Sequence, residues 1–252
     1  MDIKLQDINL SYEESGNGDT CLFLHGSRDR KEVFRYLFPY MLDYLHLVSL
    51  DLRGHGNSDK PTTGYDYDQF VQDIQNFLDY RKIGHLTVIG HSLGSVLAIL
   101  LASQLNNRVD KLVLMGTHSH FKPKFKRPDI GDDIDQDTVE KVNAAAAPFF
   151  FLPQYKEVQD EIITNWSQLP VHVHKNLIKM GHPDLREEIT KISIPTLLIF
   201  GDKDKVAPYE ERVFLNEKIH CSKLVTIPDA GHFMFMEQPE IVAKEILSFL
   251  GI

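Results

Sequence analysis

Residues 87–96 read TVIGHSLGSV. Apolar and β-branched residues lead up to Gly90, and a run that is apolar nearly all round, residues 93–105, follows Ser92. The pattern predicts a strand that turns abruptly into a central, buried helix. Ser92 stands at the junction, between Gly90 and Gly94, and offers no apolar surface to bury. Two readings fit it. A serine at a helix start caps free backbone N–H groups. A serine on a sharp strand-to-helix turn, with small neighbours that permit strained backbone angles, stands clear of the sheet as a nucleophile. The following helix then points its amino end, which favours negative charge, at the reaction centre. The five-residue pattern alone does not separate the two.

Working outward, other runs have the same apolar character: CLFLHG (21–26), HLVSLDL (46–52), KLVLMG (111–116) and PTLLIFG (195–201), beside LTVIG (86–90). Their alternation is weak, so both faces are expected to be covered, as in a parallel sheet between helices. In residues 66–83, Phe70, Val71, Ile74, Phe77 and Leu78 fall on one helical face. Strand and helix alternate, which predicts an α/β fold with a mostly parallel, doubly wound sheet. The opening IKLQDINLSYEESGNGD (3–19) reads as an antiparallel hairpin turning near Asp7.

The alternation stops after Gly116 and resumes near Ile194. The interval holds KPKFKRPDIGDDIDQD (122–137), AAAAPFFFLP (144–153) and a helix-like run containing Trp166. It is expected to form a mostly helical lid over the sheet, residues 118–185, inserted between core segments 1–117 and 186–252. Its charge runs read as solvated loop. Phe149, Phe150, Phe151 and Trp166 either line a pocket or hold the insertion down, and packing is the expectation for each taken singly.

At 252 residues and 42% apolar, the chain can bury a substantial core in one domain, or one domain with an insertion, without disulfides. Cys21 and Cys221 form no CxxC pair and are expected to be reduced and buried. The start, MDIKLQDINLSYEE, lacks the basic and apolar regions of a signal peptide. No run of about 18 apolar residues suggests a membrane span, so a soluble cytoplasmic protein with no membrane partner is expected. A net charge of −9 argues against nonspecific nucleic-acid binding.

Four more segments carry chemistry: FLHGS (23–27), DLRGHGNSDKP (51–61), FGDKDKVAP (200–208) and DAGHFMFMEQPE (229–240). A serine hydroxyl needs a base, and the chain has twelve histidines. His232 is preferred because it follows the last strand, in SKLVTIPDAGH (222–232), at the sheet edge that carries Ser92. His91 adjoins Ser92, so its side chain should point elsewhere, and His25 and His55 read as structural residues of glycine-rich turns. His172 and His174 have no third ligand at metal spacing, so zinc is not expected. His118, His120 and His182 flank the insertion and are weaker candidates to meet substrate. The base needs an orienting carboxylate, and both Asp202 and Asp204 lie in GDKD. Asp229 is too close to His232 and reads as a loop former. Asp51 and Arg53 read as braces for the turn beside the site.

The motifs HGx, DxRGxGxSxxP, GxSxG, GxxD and GH occur here in that order, and with them the chain resembles the α/β-hydrolase superfamily, in particular its small lidded serine hydrolases. The resemblance spans nearly the whole chain except the insertion, where those proteins carry a variable lid. It implies a triad of Ser92, His232 and Asp204. The GxxD pattern selects Asp204 over Asp202, and GTHSH (116–120), where some relatives place the acid, offers none. The oxyanion hole would use the backbone N–H groups of Ser27 and Leu93, each worth roughly 3 kcal/mol in comparable sites. Phe150 and Trp166 are the candidate substrate-binding residues. The implied reaction is carboxylesterase-like acyl transfer to water on a small-molecule acyl substrate, with no metal or organic cofactor. Thioester, lactone and amide substrates stay open. Serine at the elbow, in place of aspartate, argues against haloalkane dehalogenase and epoxide hydrolase chemistry. Carbon–carbon bond hydrolases share the triad, but often have two glycines where this chain has Gly94-Ser95. Peracid-forming relatives share every motif, and a ligand sensor of this fold with little turnover is the alternative from another class.

Overall fold

The apolar runs pair side by side. In the computed structural model, which describes residues 1–105, 107–120 and 134–252, the strands are β1 (Asp2–Lys4), β2 (Asn9–Ser15), β3 (Asp19–Leu24), β4 (Leu45–Leu50), β5 (Leu86–His91), β6 (Val109–Met115), β7 (Thr196–Gly201) and β8 (Ser222–Ile227). They form one sheet in the order β1-β2-β4-β3-β5-β6-β7-β8. The first two pairings, β1 with β2 and β2 with β4, are antiparallel, and all the others are parallel. The expected opening hairpin is present, with Ile3 opposite Leu10 and the turn closed by the Leu5 N–H on the Ile8 carbonyl at 2.9 Å.

Successive side chains of a strand point to opposite faces, and here both faces are apolar. Leu22, Leu24, Leu112, Leu114, Leu198 and Phe200 join one buried cluster. Their neighbours Cys21, Phe23, Val113, Met115, Leu197 and Ile199 join the other. That double burial is why the sequence shows continuous apolar runs rather than alternation.

Helices α1 (Phe38–Met41), α2 (Tyr67–Tyr80) and α3 (Leu93–Gln104) precede the insertion. Asp66 caps α2 by accepting the Gln69 N–H at 2.9 Å. Along α3, residues from Leu93 to Ala102 are buried almost without a break, as an all-round apolar helix requires. Between β6 and β7 lie α4 (Gln136–Phe150), α5 (Lys156–Ser167), α6 (Val171–Met180) and the short α7 (Arg186–Thr190), so the insertion between these strands is helical where it is described. Most of the charged stretch 122–137 lies outside the described residues. After β7 come α8 (Tyr209–Lys218), α9 (Met234–Glu237) and α10 (Pro239–Leu250). Among the described residues no helix is long and apolar enough to cross a membrane.

One expectation fails. Both cysteines are free thiols, but only Cys21 is buried; Cys221 is exposed. Cys21 sits inside β3, whereas Cys221 sits one residue before the edge strand β8, whose residues are mostly only partly covered.

The strand order decides where a site can form. The chain enters the parallel sheet at β3, steps to β4 on one side, then crosses to β5 on the other. In open α/β sheets, ligands bind beyond the carboxyl ends of the strands at such a switch point. The segments His25-Gly26-Ser27 and Ser92 follow β3 and β5 directly.

Candidate active site

The two glycines of the elbow are required by contact. A Cβ at Gly94 would lie 1.9 Å from the Leu24 carbonyl oxygen, and one at Gly90 would lie 2.4 Å from the Gly94 carbonyl oxygen. Helix α3 therefore packs against the ends of β3 and β5 at backbone distance. Ser92 takes φ 50°, ψ −111°, a conformation that L-residues adopt only under constraint. Its side chain makes no capping hydrogen bond to α3, which removes the reading of Ser92 as an ordinary helix cap. The neighbouring hydroxyl does the structural work. Ser95 Oγ lies 2.7 Å from the Gly90 carbonyl and accepts the Met115 N–H at 3.1 Å, tying helix to sheet.

Asp204 and His232 come from loops after β7 and β8, and their side chains meet. His232 Nδ1 and Asp204 Oδ2 are 3.0 Å apart in a buried setting. The other carboxylate oxygen, Oδ1, accepts the N–H groups of Val206 (2.8 Å) and Ala207 (3.3 Å). Burial alone would raise the Asp204 pKa, but the His232 imidazole and these N–H donors outweigh it and hold the carboxyl below its usual range. An ionised Asp204 only accepts, so it selects the tautomer of a neutral imidazole in which Nδ1 carries the proton and Nε2 the lone pair.

Other groups hold this pair in place. The His232 N–H donates to the Phe150 carbonyl at 2.8 Å, so the last turn of α4 fixes the loop. The Glu237 carboxylate accepts the Gly231 N–H (2.5 Å) and the Leu152 N–H (3.1 Å). Arg212 donates to the Asp204 carbonyl at 3.0 Å and to the Ala207 carbonyl at 2.9 Å. At Gly116, φ is +60° and a Cβ would lie 2.8 Å from His232 Cε1.

Ser27, Ser92, Leu93 and His232 line one cavity of about 620 Å³. Phe150 and Trp166 line it too, as does Phe149. Phe151 instead stacks on Phe233, ring centres 4.5 Å apart, and packs. The packing expected of every aromatic in the insertion therefore describes Phe151 only in full, since the other three also face the cavity. His91 turns away from Ser92, its Nε2 3.0 Å from the His232 carbonyl, and burial, with His232 beside it, keeps it uncharged. His25 bridges the Gly26 carbonyl (2.8 Å) and the Leu52 N–H (3.1 Å). His55 is buried against the Arg53 carbonyl at 2.7 Å. His118, His174 and His182 line the cavity, His174 also contacting the Trp166 carbonyl, while His172 contacts the Lys60 carbonyl. Among the described residues no group of three metal-ligating side chains forms. Asp202 accepts the Ala230 N–H at 3.2 Å and pairs with Lys203, as a turn residue does. Asp51 accepts the Lys31 and Asn57 N–H groups, and Arg53 clamps Asp73, bracing the adjacent turn.

Sequence reading missed Asp29, two residues beyond Ser27. Its Oδ1 accepts the Trp166 indole N–H at 2.9 Å, joining the loop after β3 to α5. Its Oδ2 is buried with no partner among the described residues. Burial pushes this carboxyl up to about 7, against the lowering effect of the indole and Arg28. A folded-state pKa above the unfolded value means that ionisation disfavours the fold as pH rises from about 4 to about 7. Asp29→Asn keeps an oxygen for the indole and removes the charge. It should therefore stabilise the protein at pH 8 by on the order of 2–4 kcal/mol, and much less at pH 4. Thermal melts at the two pH values check this, and equal shifts at both would show that burial does not raise the Asp29 pKa above its unfolded value.

The sequence pattern of the alpha/beta hydrolase family matches residues 21–245. Over 261 aligned residues the chain is 29% identical to the AB hydrolase superfamily protein YisY of Bacillus subtilis, covering 97% of this chain and 96% of that one. It is 26% identical over 242 residues to 3-oxoadipate enol-lactonase 2 of Acinetobacter baylyi, covering 93% and 90%. Among solved structures, an esterase from Exiguobacterium antarcticum has a TM-score of 0.87 at 25% identity, covering 100% of this chain and 99% of that one. The fold also matches an enol-lactonase from Burkholderia xenovorans LB400, with a TM-score of 0.91 at 21% identity and full coverage of both chains. With the strand order and the glycine-flanked elbow already in place, a family match over residues 21–245 makes the chain a member of the alpha/beta hydrolase family.

Proposed function

We propose that the protein is a serine hydrolase that cleaves small carboxylic esters through Ser92, His232 and Asp204. The observation that carries the reading is the buried 3.0 Å contact between Asp204 and His232 beside a cavity that also holds the strained, uncapping Ser92. His232 Nε2 takes the Ser92 hydroxyl proton as Oγ attacks the ester carbonyl. The oxyanion rests on the backbone N–H groups of Ser27 and Leu93; the latter opens helix α3, where first-turn N–H groups have no intrahelical partner. His232 then protonates the leaving alcohol, and the acyl group stays on Oγ. Water, deprotonated by His232, attacks the acyl-enzyme and releases the acid. Asp204 stays ionised throughout and holds the imidazole tautomer. Residues 118–185 serve as the lid, and Phe150 and Trp166 contact the bound acyl group.

A fluorophosphonate probe and short p-nitrophenyl esters test this together. Labelling at Ser92 with ester turnover is the expected result. Labelling without turnover on any acyl length would replace the esterase with a binding protein of the same fold. No labelling would remove the activated serine itself.

A further inference from the structure

Two buried polar atoms meet at Gly26, and neither has a hydrogen-bond partner among the described residues: Asp29 Oδ2 and His91 Nδ1. A Cβ at Gly26 would lie 2.8 Å from the first and 2.9 Å from the second. The absent side chain of this glycine is what lets them approach. Neither atom is open to water, which excludes a bridging molecule.

The far end of each group is already engaged. Asp29 Oδ1 accepts the Trp166 indole N–H at 2.9 Å, and His91 Nε2 lies 3.0 Å from the His232 carbonyl. A carbonyl only accepts, so His91 Nε2 carries the imidazole proton and Nδ1 keeps the lone pair. Burial, with His232 beside it, keeps the His91 ring uncharged, so Nδ1 gains no proton of its own. An ionised Asp29 also only accepts. Two acceptors would then oppose each other in a site closed to water, and both would stay unsatisfied.

We propose that Asp29 is a positioning residue that holds a proton on Oδ2 and donates it to His91 Nδ1. One hydrogen answers both orphaned atoms. It completes a chain of donors and acceptors: the Trp166 indole to Asp29, Asp29 to His91, His91 to the His232 carbonyl. Asp29 lies two residues beyond Ser27, and His91 adjoins Ser92. The chain therefore joins α5 to the three segments that carry the proposed machinery. The surrounding groups let the proton stay. Burial favours the neutral acid most strongly and Glu161 adds to it, while the indole, Arg28 and His232 oppose it, and the carboxyl is pushed up to about 7. On the other side of Asp29, Arg30 pairs with Glu32, and Lys60 donates to the Gly56 and Ser58 carbonyls. Loss of the proton leaves two acceptors opposed, or turns the His91 tautomer and breaks its bond to His232. It also puts a negative charge in the wall of the cavity where the oxyanion must form. The effect on rate rests on the serine-hydrolase reading; the chain itself does not.

Infrared difference spectra of wild type against Asp29→Asn need no turnover. Asparagine keeps an oxygen for the indole and an N–H for His91, so it preserves the chain without the titrating proton. At pH 6 wild type should show the carbonyl band of a protonated carboxyl, and the band should fade by pH 9. In His91→Phe, where the acid has lost its acceptor, the band should move to higher frequency. Histidine ¹⁵N spectra of wild type, which need no variant, should show His91 neutral with its proton on Nε2 at pH 6. No carboxyl band at pH 6, a band unmoved in His91→Phe, or a proton on His91 Nδ1 at that pH overturns the proposal. The rate reports the positioning role. On a short p-nitrophenyl ester, wild-type kcat/KM should fall roughly 10- to 100-fold relative to Asp29→Asn between pH 6 and pH 9. A residue that only packs leaves that ratio flat, and a flat ratio removes the positioning role. Absence of turnover in both proteins, with the carboxyl band present, leaves the chain standing and removes the hydrolase reading alone.

Discussion

Ser92→Ala should lower kcat on a short p-nitrophenyl ester by about 10⁴- to 10⁶-fold while leaving the melting temperature near that of wild type. Both halves follow from the elbow. The Ser92 backbone N–H donates to the Met115 carbonyl at 2.9 Å, and alanine keeps that bond. The positive φ is imposed by the close approach of Gly90 and Gly94 to neighbouring backbone, which the substitution does not touch. The hydroxyl caps nothing. Had it been a helix cap, its removal would cost about 1 kcal/mol and lower the melting temperature of a domain this size by about 2–4 °C. Activity lost with stability kept identifies a nucleophile. Stability lost with activity kept identifies a cap, and the choice of Ser92 would then be wrong.

The sheet was readable because every strand buried on both faces leaves a local mark. The runs at 21–26, 86–90 and 195–201 need no partner to be seen, since their composition records the environment directly. The edge strand β8 left a weaker mark, and the exposed Cys221 beside it was misread as buried for the same reason. The glycine pattern around Ser92 was readable because the constraint acts within five residues.

What holds the site together was not readable, because it acts across long sequence distances. Nothing near Asp29 announces that it meets Trp166, 137 residues away, or that Arg28 meets Asn143, 115 residues away. Glu237 looks like any surface glutamate until its carboxylate is found against the Gly231 N–H, in the loop that carries His232. The Asp29 and Arg28 contacts bind the loop that supplies Ser27 to two helices of the insertion. The insertion thus positions the proposed oxyanion hole as well as shaping the cavity. The one available signal was position: Arg28 and Asp29 directly follow the His-Gly-Ser motif, where side chains are brought to the switch point of the sheet.

Asp204→Asn should reduce kcat by about 10⁴-fold at neutral pH with the fold retained, and the surrounding donors dictate why. The oxygen that faces Val206 and Ala207 accepts two backbone N–H groups, so an amide at this position must keep its oxygen there. Its NH₂ then faces His232 Nδ1, which is obliged to accept. The imidazole proton moves to Nε2, and Nε2 can no longer take a proton from Ser92. The charge that would stabilise the imidazolium is lost as well. Stability has a definite sign. The folded-state pKa of Asp204 lies below the ordinary 3.8, so its carboxylate stabilises the fold above that pH and loses the effect as pH falls through the folded value. The asparagine variant should therefore melt below wild type at pH 7, and the difference should shrink below about pH 4. Asp202→Asn is the control from the same GDKD segment. Among the described residues its carboxylate contacts a surface lysine and the Ala230 N–H, and exposed pairs of that kind contribute about 0–1 kcal/mol. Its turnover should stay within roughly fivefold of wild type. If Asp202→Asn instead shows the large loss and Asp204→Asn the small one, the carboxylate assigned to His232 is the wrong one of the two.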